Sequence, residues 1–222
     1  MRRFVRESGL AVFFGTLFLV TLTAQSVAGQ RATNAERLEH GERALSWGGY
    51  VVSADFAGAV LENWQSEFLQ FSLFIVATVW LVQRGSNESK SLSEAGTETD
   101  AQQRVGAYAP ADAPRWARAS GLRRRLYENS LLLVMTAIFL ASWAGQSLGN
   151  WRTYNDERTA HDLPELGWIG YVRVADFWEK TLENWQSEFL AVGTMAVFTI
   201  YLRQRGSAES KPVGTPHNET AG

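Results

Sequence analysis

From Ser8 to Gln30 the chain reads SGLAVFFGTLFLVTLTAQSVAGQ, and from Asn129 to Trp151 it reads NSLLLVMTAIFLASWAGQSLGNW, two runs of 23 residues without a charged side chain. A helix rises about 1.5 Å per residue, so each run is long enough to cross a hydrocarbon core about 30 Å thick. The expected class is therefore all-α, with the lipid bilayer as the first partner. The totals hide this, because a 20% charged content and a slightly negative mean hydropathy would suit a soluble protein. Polar material between the apolar runs, notably Gly85 to Pro114, pulls the average down, so hydropathy has to be read locally. A net charge of −2 points to no nucleic acid or other polyanion. The absence of cysteine removes disulfides and thiolate metal sites and leaves the redox compartment open.

The two runs are copies of one another. A shift of 121 positions aligns residues 2–90 with 123–211 without a gap, and about 40 of those 89 positions are identical. The nonapeptide Leu61-Glu-Asn-Trp-Gln-Ser-Glu-Phe-Leu69 recurs at Leu182 to Leu190, Ala54-Asp-Phe56 at Ala175 to Phe177, and Gln83-Arg-Gly-Ser86 at Gln204 to Ser207. Gln25-Ser26 returns as Gln146-Ser147, and His40 as His161. Identity at this level in a fixed register marks duplication rather than shared composition. The resulting plan is a first two-helix repeat over 1–90, a polar linker over 91–122, a second two-helix repeat over 123–211 and a tail over 212–222. The start of the chain, with Arg2, Arg3 and Arg6 before Leu10 to Ala24 and a small-residue stretch at Ser26 to Ala28, has the form of a secretory signal. Its counterpart lies inside the chain, so residues 8–30 are read as a retained first helix.

Each repeat holds a second, shorter apolar run, Phe68 to Gln83 and Phe189 to Leu202, uncharged for 16 and 14 residues. Such lengths fit a span or a buried helix equally well. Charge decides between them. With four crossings, the N-terminus, the linker and the tail together carry 14 of the 21 Lys and Arg residues, against seven in the two remaining loops. Positive charge beside spans favours the cytoplasm, so four transmembrane helices with both termini cytoplasmic are expected, the repeats running parallel. Asp55 and Asp176 are expected to cap the second helix of each repeat, which would run from Phe56 to Val82 in the first. Trp47, Tyr50, Trp151, Tyr154, Trp168 and Tyr171 precede those helices and are expected at the outer water interface.

If Arg84 and Arg205 mark the cytoplasmic face, Glu67 and Glu188 lie 17 residues up their helices, roughly 25 Å at 1.5 Å per residue. The same count stacks Gln25, Asn63, Gln65 and Glu67 with Gln146, Asn184, Gln186 and Glu188, joined by Ser26, Ser66, Ser147 and Ser187, in one outer-leaflet polar layer. Polar groups at that depth must face the bundle interior, pair or line water. Two readings follow: an ion, proton or small-solute site around the pseudo-twofold axis, or hydrogen bonds that lock the helices together. Trp64 and Trp185 are expected in the interfacial belt, or packed beside the layer. Ala137, Ala141, Gly145 and Gly149 recur every four residues and are expected to form a close-packing stripe.

Signatures of an enzyme are thin. His40 and His161 sit in the outer loops without the His-x-x-His or His-Glu-x-x-His spacing that puts two ligands on one helix face. A membrane-embedded metal- or haem-binding enzyme or redox subunit using His40 and His161 stands as the alternative function, and no cofactor is expected on the leading reading. Gly85 and Gly206 are expected to stop their helices in the left-handed conformation. The linker from Ser86 to Ser120 lacks a sustained apolar face and is expected to be mobile in part. Its arginines, together with Arg123 to Arg125, can meet anionic lipid headgroups. The small size of a four-helix unit points to a homo-oligomer, with any substrate unknown.

The repeated nonapeptide, the opening Arg-Arg-Phe-Val-Arg-Glu at residues 2–7 and the Gln-Arg-Gly-Ser-x-Glu-Ser-Lys segments at 83–90 and 204–211 resemble a family of bacterial membrane proteins known as a domain of unknown function. The resemblance covers nearly the whole chain. It implies a bacterial plasma-membrane location and brings no catalytic residue with it.

Overall fold

The computed structural model describes residues 6–220, so the basic start at Met1 to Val5 lies outside the described residues. Among those residues the regular structure is helical. The elements are α1 (Gly9–Glu39), α2 (Trp47–Val51), α3 (Ala54–Trp80), α4 (Gly121–Glu128), α5 (Ser130–Ala160), α6 (Trp168–Tyr171) and α7 (Ala175–Tyr201), with 3-10 turns at Leu92–Glu94 and Gly106–Tyr108. The long helices match in pairs, 31 residues in α1 and α5 and 27 in α3 and α7.

Two of these helices, α1 and α5, are long and apolar enough to cross a membrane, whereas four were expected. The shortfall in α3 and α7 has a physical cause. Both carry charges along their first halves, and both end at Trp80 and Tyr201, before the apolar run is complete. Their uncharged helical stretches rise only about 20 Å, short of a core of about 30 Å. Within α1 the hydroxyls of Thr16, Thr21 and Thr23 donate to Val12 O, Leu17 O and Leu19 O at 2.8, 2.9 and 2.7 Å. Each threonine thus satisfies its polar group on its own helix, which lets it sit on an apolar surface.

The chain forms two compact units that draw on both repeats: one contains Met1–Val60 and Gly145–Tyr171, the other Leu61–Ala144 and Val172–Gly222. In the first unit, each outer loop is tied back to the helix before it by the same set of bonds. Trp47 Nε1 donates to Ser26 Oγ at 3.0 Å, and Trp168 Nε1 to Ser147 Oγ at 3.1 Å. Asn34 Nδ2 donates to Leu45 O at 2.9 Å while its Oδ1 accepts from Leu45 N at 2.7 Å, and Asn155 treats Leu166 in the same way at 2.9 Å for both bonds. Tyr50 and Tyr171 are buried, with rings against Phe56 and Tyr154 at 5.5 and 5.2 Å. The two tyrosines therefore pack within the protein, while Trp47 and Trp168 stay exposed on its surface, held by their indole N–H groups. Burial, reinforced by the Asp55 carboxylate, pushes the Tyr50 phenol above its ordinary range.

The capping expectation also changes. Ser53 Oγ, not Asp55, accepts from Phe56 N at 3.2 Å, and Asp55 Oδ1 accepts from Thr153 Oγ1 at 2.8 Å. In the second repeat Val174 holds the cap position with no side-chain bond, and Asp176 pairs with Lys180 at 3.3 Å. A residue already inside the first turn of the helix has its own amide in the exposed set and does not reach the cap geometry. The small-residue stripe holds only at its far end: Ala137 and Ala141 are exposed, Gly145 is half-buried and Gly149 is buried, while α5 also buries Phe139, Ser142, Gln146 and Ser147. At Gly149 a Cβ would lie 3.2 Å from both Ala54 O and Gly58 Cα, so this glycine permits a close crossing with α3.

In the second unit, Gly85 and Gly206 take φ of 85° and 82° as expected, but in the turn after the helix rather than at its cap. The linker is threaded with turns, Gly96 N donating to Val79 O at 2.6 Å and Gly106 N to Ala117 O at 2.8 Å. The tail folds back around Lys211, which is 2% exposed. Its Nζ donates to Gly85 O, Glu219 O, Pro216 O and His217 O at 2.6, 2.8, 3.2 and 3.2 Å. Burial, aided by the charge of Arg203, lowers this ammonium from the ordinary lysine range.

Candidate functional site

Identical sequence does not give identical surroundings in the expected polar layer. Gln65 and Ser66 are buried, at 0% and 2% exposure, whereas Gln186 and Ser187, their counterparts 121 residues later, are exposed. In the first unit Gln146 is fully buried and Gln25 is half-buried. Glu67 and Asn63 are exposed, and Glu188 and Asn184 are half-buried.

The second unit brings several of these groups together. Gln65 Oε1 accepts from Trp185 Nε1 at 2.6 Å. Asn184 Nδ2 donates to Glu62 Oε1 at 3.0 Å, and Gln70 Nε2 to Glu188 O at 3.4 Å. Glu67 and Glu188 act on one another electrostatically. Trp185 is drawn inward by an aromatic cluster: its ring lies 5.9 Å from Trp143 and 6.4 Å from Phe139, and Trp143 also stacks on Phe177 at 6.1 Å. Trp64 stays on the outside against Phe68 at 6.4 Å. Of the two expectations for these tryptophans, Trp185 meets that of packing beside the layer.

Among the described residues of this unit, five enclosed groups lack a hydrogen-bond partner: Gln65 Nε2, Trp143 Nε1 and Thr181 Oγ1 near the layer, and Glu88 Oε1 and Arg203 Nε beyond it in the chain. In the first unit both polar ends of Gln146 are in the same state. An enclosed polar group without a partner costs about 1–3 kcal/mol, so such groups mark places where water or a polar solute belongs. Sequence reading missed Trp143 and Thr181. Their counterparts are Leu22 and Val60, and this apolar-to-polar change inside an otherwise matched register was the available signal.

His40 and His161 are exposed, and His40 Nδ1 meets Glu36 O at 3.0 Å. Among the described residues no group of three or more histidine, cysteine, aspartate or glutamate side chains is placed to hold a metal ion.

No curated protein matches the chain, and no solved structure does. The whole of residues 1–222 matches one family, described as "Domain of unknown function (DUF6766)". The all-helical chain, with two helices fit to cross a membrane and glutamines enclosed in its interior, belongs to that family.

Proposed function

We propose that the chain is a multi-pass protein of a bacterial plasma membrane, built from two parallel copies of a helical hairpin with four crossings and both termini in the cytoplasm. It works without enzymatic chemistry, as a channel- or transporter-like bundle whose Glu and Gln layer accepts water and a small polar solute or cation. The membrane setting is supported by how little protein covers the apolar helices: 6% of the most apolar stretch of α1 is buried, and 22% of that of α5. A soluble core helix would be mostly covered, so this apolar surface needs lipid. The observation that carries the solute-handling reading is the set of enclosed, unpartnered side-chain groups on Gln65, Thr181 and Gln146. A second reading, a polar lock without transport, is favoured by the Trp185–Gln65 and Asn184–Glu62 bonds.

Gln146→Leu separates the two. If nothing occupies the site, the change removes two unsatisfied groups and stabilises the protein in detergent; if water or solute is held there, it destabilises the protein and abolishes flux in liposomes. Proton or cation flux through wild-type protein no greater than through empty vesicles would discard the transport reading. The crossings are tested in the cysteine-free chain with single cysteines. Reagents applied from outside should label positions 39 and 162 and spare positions 94 and 215, and labelling at 94 from outside would overturn four crossings. A homo-oligomer is expected from the size of the bundle and is checked by mass measurement in detergent.

A further inference from the structure

Between the second halves of α3 and α7 and the segments that follow Gln-Arg-Gly-Ser, the second unit holds a cavity of about 180 Å³. Phe71, Phe74, Val192 and Met195 form its apolar walls, and Glu88 and Glu209 supply its charge. The two glutamates occupy the same place in the two repeats, 121 residues apart. Each is held by its own serine turn: Glu88 N donates to Ser86 Oγ and Glu209 N to Ser207 Oγ, both at 3.1 Å.

Glu88 and Glu209 both line the cavity and act on one another electrostatically. Burial first, then the charge and hydrogen bond of Glu209, raise Glu88 above the usual carboxylate range, with the Asn87 amide opposing. Glu88 Oε1 is nevertheless enclosed with no hydrogen-bond donor. The nearby lysines do not neutralise the pair. Lys211 is turned onto four carbonyl groups, and Lys90 is engaged with Glu98 at 2.6 Å. An apolar hollow lined by two carboxyl groups, with Lys90 and Lys211 engaged elsewhere, calls for a ligand that carries its own positive charge, N–H donors and a hydrocarbon body.

We propose that this cavity binds a small primary ammonium ion with an apolar body, an alkylamine or arylalkylamine, its ammonium between Glu88 and Glu209 and its hydrocarbon part against Phe71, Phe74, Val192 and Met195. Size restricts the class. The volume matches roughly six waters at about 30 Å³ each, room for a molecule of about nine heavy atoms and too little for a drug-sized one. A quaternary ammonium lacks the donors the carboxyl groups require.

The test is calorimetric titration of the full chain in detergent at pH 8 with phenethylammonium, and with neutral 2-phenylethanol as its uncharged counterpart. Saturable binding of the ammonium ion, at least tenfold stronger than the alcohol, is expected. Glu88→Gln with Glu209→Gln should weaken it at least tenfold, and Ala191→Phe, which fills the cavity and leaves both carboxyl groups, should abolish it. Glu67→Gln should leave amine binding unchanged, so the fate of this site is independent of the transport reading above. No saturable binding at pH 8, equal affinity for the alcohol, or undiminished binding in either the double variant or the filled cavity would overturn the proposal. Should the double variant fail to show a thermal transition, the alcohol comparison and Ala191→Phe still decide it.

Discussion

The two repeats agree where the chain turns and disagree where helices meet. Asn34 and Asn155 clamp Leu45 and Leu166 with matching pairs of bonds, and Trp47 and Trp168 reach Ser26 and Ser147 over the same separation. These contacts are local, confined to a loop and the helix before it, so the same residues rebuild the same geometry. Contacts between distant segments have diverged. Gly149 meets Gly58 at backbone distance, whereas the residues 121 positions away from them are Ala28 and Glu179, both exposed. Trp185 lies inside an aromatic cluster that uses Trp143, while Trp64, with Leu22 at the place corresponding to Trp143, remains outside. A duplication preserves what a segment does to itself and releases what it does to its neighbours.

The comparison breaks most visibly at the glycine crossing. Gly149→Leu forces a side chain against backbone atoms that cannot yield and should cost about 3 kcal/mol or prevent folding, while Ala28→Leu should stay within about 0.5 kcal/mol. Thermal unfolding in detergent reads both, and equal effects would show that the crossing is not one-sided. Next in size are the tryptophans. Trp185→Phe removes the donor to Gln65 and leaves an enclosed acceptor bare, about 2 kcal/mol, against under about 1 kcal/mol for Trp64→Phe. Near-ultraviolet dichroism should likewise change more in the first variant, because Trp185 is part of a coupled ring cluster.

The loop clamps sharpen the comparison from the other side. Asn34→Ala and Asn155→Ala should each cost about 1–2 kcal/mol and match within about 0.5 kcal/mol, because each removes two bonds to one leucine. Unequal losses would mean that the shared geometry conceals different strengths. The smallest effects belong to the caps: Ser53→Ala should lose about 1 kcal/mol and Val174→Ser should gain about 0.5 kcal/mol, since the second repeat lacks the bond the first one makes. Hydrogen exchange at the first turns of α3 and α7 would report each change locally.

These contrasts also show what the sequence makes legible. The starts of the long helices, the positive-φ glycines and the equivalence of the loops follow from charge-free runs, turn residues and the 121-residue offset, whereas α1 and α5 run on to Glu39 and Ala160, past the charge-free runs. The fates of Gln65 and Gln186 do not, because nine identical residues surround both, and what separates them is whether Trp143, Thr181 and Phe177 are assembled nearby. The buried face of α5 was legible only at Gly149, for a related reason: small residues at every fourth position allow close packing, but the partner helix chooses where along the stripe it is used. Glu88 and Glu209 were visible as a matched pair inside a segment read only as a helix stop, and their pairing emerges once two remote turns come together.

Lys211 has a consequence for handling the protein. Its ammonium is enclosed by carbonyl groups of residues 85, 216, 217 and 219, whereas Lys90, its counterpart, forms an ion pair and remains partly open. An amine-directed label should therefore mark Lys90 readily and pass over Lys211 until the tail is displaced. A fluorescent reporter grafted beyond residue 220 leaves that enclosure whole, but one grafted directly after Lys211 strips away three of its four carbonyl groups and exposes a lysine that the wild-type chain keeps out of reach.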